Sequence, residues 1–129
     1  MKILFVCLGN VARSQMAEAY FNHFSKEEKA ISAGVLDFTP EKYKHPIKEV
    51  VEAMREEGID VSKQEVTYIK PDMVEKSDKI FVMCKKEECP DFLLNSNKVV
   101  FWQVEDPFSK SLDDFRKTRD IIKSKVLSI

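Results

Sequence analysis

Six consecutive apolar residues, Ile3 to Leu8, stop at Gly9, and within five positions the chain changes to a helical repeat. A run this short, rich in β-branched and aromatic side chains and closed by glycine, predicts a buried strand, here Lys2–Cys7. Beyond it, Met16, Ala17, Tyr20, Phe21 and Phe24 recur at helical spacing and predict a helix over Ser14–Phe24. A buried strand passing directly into a helix is the opening unit of an α/β fold.

The same alternation continues. Ala30–Ala33 reads as a second strand closed by Gly34, and His45–Glu57 as a helix with Ile47, Val50, Val51 and Met54 on one face and Gly58 as its stop. Lys70–Lys76 is a short helix with Pro71 in its tolerant first turn. Lys79–Met83 and Lys98–Trp102 are strands, whose aromatic residues are assigned to the core. Leu112–Leu127 closes the chain as an amphipathic helix, with Phe115, Ile122 and Val126 along its stripe. The pattern predicts one α/β domain over residues 1–129, a parallel sheet with helices on both faces. Ligands of such sheets bind at the carboxyl ends of the strands. Cys7, Cys84 and the Glu105–Asp106 segment each fall just past a strand, on that rim.

Composition narrows the function classes. The net charge is −1, so no broad field draws the chain to nucleic acid or an anionic membrane. The longest apolar run cannot span a bilayer, and the N-terminus lacks a signal-peptide pattern, so a cytoplasmic location is expected. Three cysteines do not make a disulfide framework. Cys84 and Cys89 lack the spacing and partners of a metal site, leaving them as buried small hydrophobes or redox-active thiols.

The segment Cys7-Leu8-Gly9-Asn10-Val11-Ala12-Arg13 joins the first strand to the first helix. A tight loop at a helix N-terminus turns backbone N–H groups inward and forms a nest for an anion. Gly9 is expected to supply a left-handed backbone, and Asn10 tolerates one. Arg13 adds a planar fork of donors suited to a tetrahedral oxyanion, and Ser14 can donate to the Cys7 sulfur. Positive potential around Cys7 favours the thiolate. The loop therefore binds an oxyanion through Leu8 to Ser14 and aims a nucleophile at its centre.

These residues carry a resemblance. "VCLGNVARSQMAEAYFN" is similar to the active-site loop of the low-molecular-weight protein tyrosine phosphatase superfamily, "ISAG" to its second strand, and "VEDPF" to its aspartate–proline loop. The resemblance implies a four-stranded parallel sheet flanked by helices. It implies Cys7 as nucleophile, Arg13 as oxyanion clamp and Asp106 as proton donor, with Asn10 and Ser14 supporting the loop.

Two chemistries occur in this superfamily, phosphate-ester hydrolysis and thioredoxin-coupled arsenate reduction, and the reductases use two further thiols. "VMCKKEECPDF" supplies Cys84 after the third strand and Cys89 before a proline, where the reductases carry theirs. "SQMAE", with Gln15 where phosphatases usually have proline, resembles the reductase branch, as does "FWQVEDP". The chain departs from the pattern at Ala12, where both branches often carry cysteine, and in the shortness of the segment between Cys84 and Cys89. A helical turn across Lys85–Glu88 would have to unwind or bend for that pair to meet. The resemblance thus implies arsenate reduction with a thioredoxin-like external thiol reductant and no bound cofactor. Its alternative is a phosphatase acting on phosphotyrosine or small aryl phosphates. It further implies a potassium ion near Asn10, Glu18 and Ser32.

Overall fold

A computed structural model describes residues 1–129. Four strands, β1 (Ile3–Cys7), β2 (Ala30–Gly34), β3 (Lys79–Val82) and β4 (Val99–Phe101), form one parallel sheet in the order β2-β1-β3-β4. Six helices accompany them: α1 (Arg13–Phe24), α2 (Thr39–Lys42), α3 (Lys48–Arg55), α4 (Pro71–Lys76), α5 (Asp91–Leu94) and α6 (Leu112–Leu127). The α/β architecture expected from the alternation is present.

The period of two along β1 sorts the core into two layers. Ile3, Phe5 and Cys7 face one way, with Phe81, and meet Met16 and Tyr20 of α1, Val50 and Met54 of α3, and Phe115 and Ile122 of α6. Leu4 and Val6 face the other way, with Ile80 and Val82, and meet Val74 of α4 and Leu93 of α5. Phe5 and Phe81 stack at 5.7 Å and Trp102 stacks on Phe81 at 4.4 Å, forming an aromatic slab beneath the first layer. Across the outside of that layer, Arg116 holds Glu56 through two guanidinium nitrogens, and Arg119 reaches the same carboxylate at 2.7 Å. These exposed pairs orient α6 on the end of α3 and add little stability beyond packing.

Sheet order locates the site. β1 feeds α1 and β2 on one side, and the chain then crosses back to place β3 on the other. The carboxyl end of β1 is therefore the switch point of the sheet, where the two connections diverge and leave a crevice. Cys7 is its last residue.

Several elements differ from the sequence expectation. The helix expected over His45–Glu57 spans Lys48–Arg55, because Pro46 holds the preceding backbone extended and Gly58, at φ +74°, closes the far end. The four-residue helices α2 and α5, and a 3₁₀ turn over Lys86–Glu88, are too short to leave a periodicity. Phe101, assigned to the core, is exposed because β4 is the sheet's edge, and Phe24, the last apolar residue of the helical repeat, is exposed because it ends α1.

Phe115 of α6 is fully buried in the first layer. Phe115→Ala is expected to destabilise the fold by about 3–5 kcal/mol in urea unfolding. Phe101→Ala, at an exposed edge, is expected to change it by less than about 0.5 kcal/mol.

Candidate active site

The loop between β1 and α1 is held from outside by its carbonyls. Leu8 O accepts from Val35 N and Leu36 N, Asn10 O from Gln15 Nε2, and Val11 O from Ile47 N. With these carbonyls drawn outward, the loop presents its amide hydrogens to the space above Cys7. Asn10 N donates to Cys7 Sγ at 3.3 Å, and Ser14 Oγ lies 2.9 Å from the same sulfur.

The left-handed residue of the loop is Asn10, at φ 57°, and not Gly9, which corrects the role expected for that glycine. Asn10 holds this conformation through a saturated side chain. Its Nδ2 donates to Ser14 Oγ at 2.7 Å and to Ser32 Oγ at 2.9 Å, while Oδ1 accepts from Thr67 N at 2.9 Å. Gln15, fully buried, donates to Asn10 and to Glu65 O, and itself accepts from Gln64. The 64–67 segment thus braces the loop, a role invisible in a stretch with no periodic or motif signal.

Gly34 is the second residue that sequence reasoning missed, having been read only as the end of a strand. It pairs with Cys7 across the sheet, and a Cβ there would stand 2.7 Å from Gly9 C and 2.8 Å from Asn10 N. Only glycine lets β2 pass this close to the loop.

Arg13, almost fully buried, is anchored by two carbonyls: Nη1 donates to Met83 O and, at 2.9 Å, to Val104 O. Its Nη2 lies 3.5 Å from Asp106 Oδ2. Asp106 is fixed in turn by its own loop, with Oδ1 accepting from Phe108 N at 3.0 Å. Glu105 points to solvent and pairs with Lys110 instead.

Two cavities open on this rim. The first, about 260 Å³, has Cys7 at its base and Phe38, Tyr43, Phe108 and Leu36 among its walls. The second, about 810 Å³, exposes an edge of Cys84. Leu8, Arg13 and Asp106 line both and form the partition between them.

Cys84 and Cys89 are both buried, 6% and 9% exposed, with their sulfurs 3.7 Å apart. The 3₁₀ turn over Lys86–Glu88 already folds the short segment back, so no helical turn has to unwind, contrary to the sequence expectation. Burial pushes the Cys84 thiol well up, and the adjacent Cys89 adds to the effect. Burial likewise raises Cys89.

The trio named for potassium does not form an oxygen cage. Asn10 turns its N–H, not its oxygen, toward Ser32, and Ser32 Oγ donates to Glu18 Oε1 at 2.8 Å. Thr67 N fixes the amide in that sense. A cation needs converging lone pairs, and here Asn10 presents N–H and Ser32 presents O–H along the chain to Glu18. Burial raises the Glu18 carboxyl, against the pull of its Ser32 bond.

A thiol contacted by a loop amide, with an anchored guanidinium and a carboxylate across the pocket, is an arrangement suited to a tetrahedral oxyanion. Residues 2–128 match the family described as low molecular weight phosphotyrosine protein phosphatase, and the chain belongs to that family. An arsenate reductase of Staphylococcus epidermidis is 32% identical over 129 residues, covering 98% of this chain and 93% of that one. Among solved structures, the YwlE arginine phosphatase with a phosphorylated active-site serine superposes with a TM-score of 0.85 at 27% identity, covering 98% and 91% of the two chains. An arsenate reductase in the phosphate-binding state superposes at 0.82 with 28% identity, covering 98% and 94%.

Gly34→Ala is expected to push the loop backbone aside and weaken phosphate binding by roughly a hundredfold, since such sites lose about that much for a 1 Å misplacement. Phosphate titration by calorimetry, with circular dichroism as the folding control, measures it; unchanged affinity would mean the loop does not depend on this close approach.

Proposed function

We propose that the protein is an arsenate reductase that passes electrons along Cys7, Cys84 and Cys89 from an external dithiol of the thioredoxin type. The observation that carries the reading is the 3.7 Å between the sulfurs of Cys84 and Cys89, one cavity away from the oxyanion pocket. A hydrolase has no use for such a pair. The Staphylococcus epidermidis arsenate reductase, similar over nearly the whole chain, supports the same reading.

Arsenate sits on the loop amides from Leu8 to Ser14 and on Arg13. Cys7 Sγ attacks arsenic, and one oxygen leaves as water with a proton from Asp106, giving a thiol-arsenate adduct. Cys84 Sγ then attacks Cys7 Sγ. The S–As bond breaks, its electron pair stays on arsenic, and arsenite leaves while a Cys7–Cys84 disulfide forms. Cys89 attacks Cys84, which frees Cys7 as a thiol and leaves a Cys84–Cys89 disulfide. The external dithiol reduces that bond. The partition of Leu8, Arg13 and Asp106 stands between Cys7 and Cys84, so the second step requires the strand end at Met83 to move. Arg13 links the two events, because the group that binds the oxyanion also holds Met83 O, one residue before Cys84.

A second reading, a phosphatase, is favoured by one observation. Phe38, Tyr43 and Phe108 wall the pocket above Cys7, and Phe38 is 54% exposed at its mouth. Arsenate makes no use of an aromatic wall, whereas an aryl or other organic phosphoester does.

Thiol variants separate the two. Under the reductase reading, Cys84→Ser yields no arsenite, and Cys89→Ser yields one equivalent and stops with a Cys7–Cys84 disulfide visible by mass spectrometry. Aryl phosphate hydrolysis that survives both substitutions, with no arsenate turnover in the parent, selects the phosphatase.

The raised Cys84 thiol sets a pH dependence. Only the thiolate attacks, and a thiol held above its ordinary value stays protonated at neutral pH. Single-turnover disulfide formation is expected to accelerate steadily with rising pH and to continue past about 8.5, where an ordinary cysteine levels off. A plateau near neutral pH, in stopped-flow measurements, would contradict it.

A further inference from the structure

Outside the oxyanion pocket, the dithiol brings two free sulfurs into contact. Two sulfurs bonded at about 2.3 Å to one centre, at angles between a right angle and tetrahedral, stand about 3.2–3.8 Å apart. Cys84 and Cys89 stand 3.7 Å apart before anything binds. They are held there by separate elements: Cys84 follows β3, and Cys89 ends the 3₁₀ turn with its sulfur donating to Lys85 O at 3.4 Å.

We propose that Cys84 and Cys89 form a bidentate binding site for trivalent arsenic.

The surroundings choose among thiophilic ligands. A divalent zinc-type ion takes four donors, and no group of three His, Cys, Asp or Glu side chains converges here or elsewhere. The pair packs among Val82, Leu93 and other apolar side chains, where two thiolates and an incompletely coordinated ion are costly. Trivalent arsenic avoids that cost. Arsenous acid is neutral, the thiols are neutral, and the product is neutral. Two As–S bonds form and two As–O bonds break. Each thiol proton leaves with a hydroxide as water, so arsenic remains trivalent and no reductant enters the step.

Access comes from the second cavity, which reaches Cys84 and shares Leu8, Arg13 and Asp106 with the pocket over Cys7. Arsenite leaving Cys7 therefore meets the dithiol across that partition. That arsenite is produced there rests on the reductase reading; the binding geometry does not. In a working reductase the captured product would block Cys84 and Cys89 from exchanging, and inhibition by arsenite would not be relieved by more arsenate.

The test uses the full-length reduced protein, titrated with sodium arsenite and separately with phenylarsine oxide, and read by native mass spectrometry and by counting free thiols. The parent and Cys7→Ser are each expected to bind one arsenic and lose two titratable thiols. Cys84→Ser and Cys89→Ser are expected to bind roughly a hundredfold more weakly, since each loses the chelating second sulfur. Oxidising the parent to the Cys84–Cys89 disulfide beforehand is expected to abolish binding without any substitution. The proposal is overturned if no stoichiometric adduct forms, or if the adduct survives that oxidation or requires Cys7. Arsenate turnover is assayed alongside: an adduct without turnover sinks the reductase reading alone, and turnover without an adduct sinks this one alone.

Discussion

The amide of Asn10 is the constraint on which the site depends. A non-glycine residue at φ 57° is costly by itself, and here it is over-determined by hydrogen bonds on both ends of one side chain. The same amide orients Ser14, which contacts the Cys7 sulfur, and ties the loop to β2 through Ser32 and to the 64–67 segment through Thr67. Gln15 and Gly34 complete the brace, one by filling its polar demand and the other by letting a strand pass within contact of the loop backbone. Every buried side-chain polar atom finds a partner, so the loop is rigid without leaving unpaid desolvation behind.

Around that rigid nest the rim is divided. Arg13, Leu8 and Asp106 separate a small pocket holding Cys7 from a wider one reaching Cys84. The two sides suit different chemistry. Over Cys7, the loop and the Arg13 guanidinium suit an anion. Around Cys84 and Cys89, apolar packing raises both thiols and disfavours their ionisation. Arg13 lines both sides, and its Nη1 holds the backbone of the residue before Cys84.

How much was legible follows signal length. β1, α1, α4 and α6 carry long or well-punctuated patterns and were readable to within a residue or two; α2 and α5, at four residues, carry none. Cys7, Arg13 and Asp106 were readable because each sits in a short contiguous motif. Gln15 was read as a family marker, whereas its buried amide is a structural hub. Gly9 was assigned the left-handed backbone because glycine adopts it most cheaply, but asparagine adopted it with side-chain support that arises only from distant residues. The Asn10–Glu18–Ser32 trio was read by position as a cation site, and the direction of one amide turned it into a closed hydrogen-bond chain.

From the linear chain alone come the alternating elements, the loop suited to an anion at the end of the first strand, and Cys7, Cys84 and Asp106 at strand ends on one rim. These follow from local patterns: periodicity, turn residues and a motif that spans seven positions. Only the folded molecule decides that Cys84 and Cys89 lie 3.7 Å apart, that a partition divides them from Cys7, and that aromatic side chains flanking α2 and on the aspartate loop wall the pocket. Distances between residues far apart in sequence depend on strand order and on short turns without periodicity, and no local pattern encodes either.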